Sequence, residues 1–295
     1  MKRLIFSYAQ KGIIYVLLLI LGFVYLYPII FMVTTSLMDM EDLVNPTVKW
    51  IPTSLYFGNF AIALKVLDYG KSLLASLAMA GLPAIFQTIS CALIGYGFAR
   101  MEFPLKGLWF AMLIFSFLLP AQVTMIPKYI MFNAYGMINT PLPSLLPALL
   151  GQGIRSTIFV LIFYQFFHSY PKSMDEAAQI DGANTWTIFL RIALPMSIPS
   201  IVVSLIFSFV WYWNETYLSG IFFGRVIQTL PMKLQAFVDS YSRLYPTSDG
   251  STVNALNESI RMAGTLLTII PLIIFYLILQ KQFVESIDRT GITGE

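Results

Sequence analysis

The chain has 295 residues, of which 57% are apolar and only 11% charged, against about 25% charged in soluble domains. That excludes a soluble globule, and it excludes disorder, which needs low hydrophobicity and high net charge. A net charge of +3 supplies no concentrated basic face for nucleic acid. One cysteine, Cys91, rules out an internal disulfide framework, and one histidine, His168, leaves zinc almost without ligands, so no metal site is expected. The chain reads as an all-α integral membrane protein with no catalytic residue of its own.

Lys2, Arg3 and Lys11 precede the first apolar run, Gly12–Thr34. It is longer than a signal h-region and no small-x-small cleavage site follows, so it reads as a retained span. Five further segments are long and apolar enough to cross a hydrocarbon core. They lie near Ser72–Ala99, Gly107–Met125, Leu145–Phe167, Pro195–Tyr217 and Ala263–Leu279. The second, fourth and fifth carry breaks, as at Gly81 to Pro83 and Gly151 to Gly153. Such breaks are tolerated where neighbouring helices or a water cavity satisfy the freed backbone, so they point to a bundle that lines something. Polar stretches lie at Asp39–Lys71, Pro171–Leu194 and Arg225–Arg261. The six spans form one transmembrane domain, 1–295, with both termini on one side. Loops on that side are shorter and denser in Lys and Arg, which favours the termini in the cytoplasm.

Enzyme motifs fail. Gly70, Lys71 and Ser72 mimic the end of a P-loop, but Lys65 stands where its first glycine must be. No G-x-S-x-G elbow, H-E-x-x-H pair or intramembrane carboxylate cluster is present.

The informative loop is 171–194. Ser173 and Glu176 have the spacing of a capping box, which predicts a helix from Met174. Asp175 and Glu176 then fall in its first turn, where the dipole favours negative charge. Ala177 and Ala178 make a slim face, and Gly182 suits the left-handed position that ends many helices. A second short helix is predicted over Asn184–Ala193, and Pro195 restarts the chain into the fifth span. The acidic first turn and paired alanines favour docking into a protein cleft over lying on the membrane surface.

Glu176, Ala177, Ala178 and Gly182, followed by Ile192, Leu194 and Pro195, resemble the EAA loop of ABC importer permeases, matched throughout its spacing. Tyr96–Pro104, Pro120–Pro127, Gly136–Thr140, Gln228–Pro231 and Gln280–Val284 resemble further stretches of carbohydrate-uptake permeases. Nearly the whole chain is similar to the six-span subunit of the maltose-transporter type. The resemblance implies a permease in the bacterial cytoplasmic membrane that translocates a sugar or oligosaccharide. It implies a second homologous permease subunit, two copies of a cytoplasmic ABC ATPase and an extracytoplasmic solute-binding protein as partners. ATP and Mg2+ then belong to the ATPases, and this chain binds no cofactor. Ser173, Asp175, Glu176, Ala177, Ala178, Asp181 and Gly182 would couple the permease to the ATPases. The tail Glu285–Glu295 departs from the family's glycine-lysine-glycine ending, so the resemblance leaves open whether it inserts between the ATPases.

The substrate path is marked more weakly. Arg155 lies within a span, where a charge needs water or a partner. Trp211, Trp213, Asn214 and Glu215 lie toward the outer leaflet and suit sugar rings and hydroxyls, although aromatic belts form at any interface. Cys91 reads as a packing residue and His168 as an interface residue. A glycerol phosphodiester or polyol derivative is an alternative cargo. An ion-driven transporter is a further alternative, and it would want intramembrane carboxylates.

Overall fold

A computed structural model describes residues 2–246 and 256–291, with side chains for 11–120, 122–246 and 256–282. The side chains of Lys2, Arg3 and the tail after Gln282 lie outside the described residues. All the described secondary structure is helical. In chain order it comprises α1 (Lys2–Ser36), α2 (Met40–Val44), α3 (Gly58–Val66), α4 (Tyr69–Arg100), α5 (Lys106–Leu118) and α6 (Ala121–Ala134). Then come α7 (Leu142–Leu149), α8 (Ser156–Ser169), α9 (Lys172–Ile180), α10 (Thr185–Ile188), a π-helical turn (Phe189–Ala193) and α11 (Leu194–Met196). The rest are α12 (Ile198–Asn214), α13 (Tyr217–Phe223), α14 (Leu230–Gln235), α15 (Phe237–Leu244) and α16 (Glu258–Gly291).

By length and apolarity three helices can cross a membrane, or up to five if each bent pair is one span. The sequence expectation of an uninterrupted third span over Gly107–Met125 is not met. Leu119 is extended before Pro120, as the clash with a following proline ring demands, and α5 and α6 meet at 102°. The fourth span breaks where expected, between α7 and α8, and the fifth bends by 74° at Ser197. The break expected at Gly81 to Pro83 is absent: α4 runs on for 32 residues with Pro83 fully buried.

The chain forms two compact units. The first comprises 1–69 and 234–270. Here the buried Asn59 amide donates to the Ser36 and Met38 carbonyls at 2.9 and 2.8 Å, closing the end of α1. Buried Asp42 accepts from the Thr53 N–H and hydroxyl at 2.9 and 2.6 Å, pinning the 45–57 loop. From Ile13 to Val33 the apolar side chains of α1 are largely exposed.

The second unit comprises 70–233 and 271–295. Its core joins α4, α8 and the π turn: Cys91, Tyr96, Phe159, Phe163, Phe167 and Phe189 are all buried there. A smaller cluster packs Met79, Phe132, Phe222 and Phe223. Cys91 is a packing residue, as expected.

Candidate functional site

The loop after α8 is the better defined of two candidate regions. The capping box is not formed. α9 starts two residues earlier than predicted, at Lys172, with Pro171 at its N-cap and no side-chain cap. Proline lacks an N–H and its φ of −61° leads straight into the helix, so Ser173 becomes a helical residue rather than a cap. Glu176 is exposed and makes no capping bond.

The helix end matches its prediction. Gly182 has φ +82°, the Ala183 N–H donates to the Ala178 carbonyl at 2.9 Å, and the Gly182 N–H donates to the Gln179 carbonyl at 3.0 Å. That pair of bonds is a Schellman motif, which satisfies carbonyls the helix would otherwise leave open. Asp181 is the exposed C-cap. Asn184 then caps α10 by accepting from the Thr187 N–H at 2.8 Å.

α9 presents two unlike faces. Asp175 and Ala178, one helical turn apart, are half-buried. Met174, Ala177 and Ile180 are exposed on another face, Ile180 at 87%. The inner face is held by residues that sequence reasoning did not single out. Arg100, the last residue of α4, lays its guanidinium 3.8 Å from the Tyr170 ring centroid and donates to the Tyr170 carbonyl. The Tyr170 hydroxyl donates to Asp175 Oδ1. Arg100 Nε lies 3.6 Å from Asp175 Oδ2 and has no hydrogen-bond partner. Burial raises the Tyr170 phenol above its ordinary value, and the hydrogen bond to Asp175 adds to that. Tyr170 also joins the core with Tyr96 and Phe167, so α4, α8 and α9 share one anchor. In the sequence Arg100 falls within the family-like stretch Tyr96–Pro104, with no role of its own assigned.

The second region is the break between α7 and α8. Gly151, φ +71°, ends α7 with a second Schellman pair: Gln152 N–H to the Pro147 carbonyl at 2.7 Å and Gly151 N–H to the Ala148 carbonyl at 3.3 Å. Fully buried Gln87 of α4 donates to the Ile154 carbonyl at 2.9 Å and to Ser208 Oγ at 3.1 Å. Tyr212 of α12 donates to Gln87 Oε1 at 2.8 Å and accepts from the Ile154 N–H at 3.1 Å. Ser90 donates to the Ala148 carbonyl at 2.7 Å. Non-helical backbone is thus satisfied by side chains, as a membrane interior requires. A Cβ on Gly153 would strike Gln87 Oε1 and the Tyr212 hydroxyl. An amide in the middle of an apolar span was the signal for Gln87. Beside the break lies a mostly apolar cavity of about 570 Å³, lined by residues including Ile94, Phe98, Met112 and Gln152.

Of the predicted substrate-path residues, two come together: the Arg155 guanidinium carbon sits 4.9 Å from the Trp211 ring centroid. Trp213 is buried against Phe209, with ring centroids 5.7 Å apart. Asn214 is exposed and donates back to the Val210 carbonyl at 2.9 Å. Glu215 accepts from the Leu218 N–H at 2.8 Å, at the start of α13. His168 stacks on Tyr164, with centroids 5.6 Å apart.

Residues 91–289 match the family described as binding-protein-dependent transport system inner membrane component. The melibiose/raffinose/stachyose import permease protein MelC of Bacillus subtilis (strain 168) is 29% identical over 286 residues, 96% of either chain. A probable ABC transporter permease protein of Pyrococcus horikoshii, PH1036, is 30% identical over 74% of this chain and 81% of its own length. Among solved structures, a chain of a bacterial ABC transporter involved in importing the acidic polysaccharide alginate superposes with TM-score 0.75. It is 20% identical, and the match covers 94% of this chain and 98% of that one.

Proposed function

The chain belongs to the binding-protein-dependent transport system inner membrane component family, and from that membership we propose that it is the permease subunit of an ATP-driven importer of a sugar or oligosaccharide. The cargo class rests on the similarity to MelC, named for melibiose, raffinose and stachyose import. It assembles with a second permease subunit, two cytoplasmic ATPase copies and an extracytoplasmic binding protein. ATP and Mg2+ bind those ATPases. The chain lies in the bacterial cytoplasmic membrane as one six-span domain, with both termini and the 171–194 loop in the cytoplasm. The exposed apolar surface of α1 supports contact with lipid or the second permease.

The observation that carries the reading is α9 itself. Its exposed face, with Met174, Ala177 and Ile180, fits a protein cleft, while Asp175 on the inner face is tied to Arg100 at the end of α4. A push on α9 is then delivered to a membrane-spanning helix through a charged, buried joint. Ser173, Glu176 and Asp181, all exposed, are the polar contacts to the ATPase, and Gly182 sets the turn. Closure of the ATPases on ATP moves both docked loops and rocks the spans between inward-open and outward-open access.

The test is a mild-detergent pull-down of the tagged chain, followed by transport in proteoliposomes. Co-purification of an ATPase, a second permease and a binding protein is expected. Gly182→Asp should keep the chain in the membrane but abolish uptake. Normal uptake by that variant overturns the coupling role, and recovery of the chain alone across several detergents overturns the importer.

A further inference from the structure

Arg155 occupies the left-handed region at φ +52°, directly before α8. Its guanidinium lies over the Trp211 ring. That ring is itself held by Phe159 and Phe207, at centroid distances of 5.1 and 6.0 Å. Arg155 is exposed, and among the described residues no carboxylate pairs with it. The 14 residues of α8, at about 1.5 Å each, put Arg155 about 21 Å from the cytoplasmic end of that helix. Measured from an inner face at the end of α8, that leaves Arg155 inside a hydrocarbon core about 30 Å thick, about 9 Å from its outer face. The stacking on Trp211 keeps the side chain on α12 rather than stretched toward a headgroup. An intramembrane charge without a counter-ion is a functional site by default. One guanidinium face is taken by the indole, and the fork of N–H donors matches a carboxylate in two-point geometry. Gln152, exposed in the same break, offers an amide for hydroxyls.

We propose that Arg155, oriented by Trp211, receives a carboxylate of the transported sugar, so that the cargo is an acidic carbohydrate such as a uronate oligomer. This rests on the importer reading above and specifies its substrate class.

The test uses the whole importer with its binding protein in proteoliposomes. The probes are digalacturonate and dimannuronate, with maltose and melibiose as neutral controls. Assembly of each variant is checked by co-purification of the second permease. The wild type is expected to take up at least one acidic probe in preference to the neutral ones. Arg155→Gln should lower acidic uptake at least tenfold. Arg155→Lys, which keeps the charge but not the fork, should fall between, and Trp211→Leu should weaken uptake severalfold. Equal acidic uptake by Arg155→Gln and wild type overturns the proposal. So does uptake of neutral probes with refusal of both acidic ones, which leaves the sugar-importer reading standing. Loss of the second permease from Arg155→Gln overturns it in favour of an ion pair between subunits. Uptake of none of the four probes, with no ATPase co-purifying, overturns both readings.

Discussion

Arg100 Nε and Asp175 Oδ2 face each other at 3.6 Å with their side chains only 6% and 13% exposed. The pair joins the last residue of α4 to the first turn of α9, across 75 positions of sequence. Its looseness leaves Nε without a hydrogen bond, so a shift of α9 toward α4 would complete that bond, and a shift away would leave both charges to their Tyr170 contacts alone.

Removing one partner of a buried pair strands the other, at a cost of about 3 kcal/mol. Arg100→Ala and Asp175→Asn should each loosen α9, and the double variant should cost less than the two combined. Hydrogen exchange over 172–183 in the assembled complex is the measurement. Single variants should exchange about 100-fold faster there, and unchanged exchange would refute the joint.

Gly182 is held by conformation and not by space, since a Cβ there meets nothing within 4 Å while φ is +82°. Gly182→Ala should therefore cost about 1–2 kcal/mol, the left-handed penalty. Gly182→Asn should cost less, because asparagine tolerates that region. The measure is the ratio of transport to ATP hydrolysis, expected to fall in the order Gly, Asn, Ala, Val. A ratio that follows side-chain size with Asn below Ala would contradict the conformational account.

Gly153 is held by space. Gly153→Ala should push Gln87 and Tyr212 apart and expose the Ile154 backbone to an apolar surrounding. Tyr212→Phe removes one donor and one acceptor of the same knot, at about 1–3 kcal/mol for each group left unsatisfied. Both variants should lower the thermal midpoint of the purified assembly. Tyr212→Phe combined with Gln87→Leu should recover part of the loss, since fewer polar groups are then stranded. No recovery would mean that the knot is not a unit.

The Tyr170 phenol is raised by burial and by its bond to Asp175. Its native state is the protonated one, while an unfolded tyrosine ionises near about 10. The stability it contributes is therefore complete below about pH 10 and is lost as pH rises toward the folded value. The thermal midpoint of wild type should exceed that of Tyr170→Phe by a constant margin from pH 6 to 9. The margin should shrink above pH 10. A margin that instead shrinks on acidification would place the controlling proton elsewhere.

Much of the backbone was legible in the residues. The helix that ends at Gly182 and the one that ends at Gly151 follow from local rules, since only a residue free of Cβ enters the left-handed region readily. Other local signals misled. Ser173 and Glu176 had the right spacing for a cap, yet Pro171 started the helix first. Pro83 sits inside an unbroken 32-residue helix, while Pro120 marks a 102° bend.

By itself, then, the chain of residues determined a membrane-embedded helical protein, the places where helices stop, and a two-helix loop with a glycine turn. Those depend on apolar content and on φ and ψ preferences that act within a few residues. Tertiary structure decided that Arg100 meets Asp175, that Gln87 and Tyr212 close on the Ile154 backbone 67 and 58 positions away, and that Arg155 finds Trp211. Long-range pairs between polar groups in an apolar interior are chosen by the need to leave no donor or charge unmet, and only the packed helices say which partners are within reach.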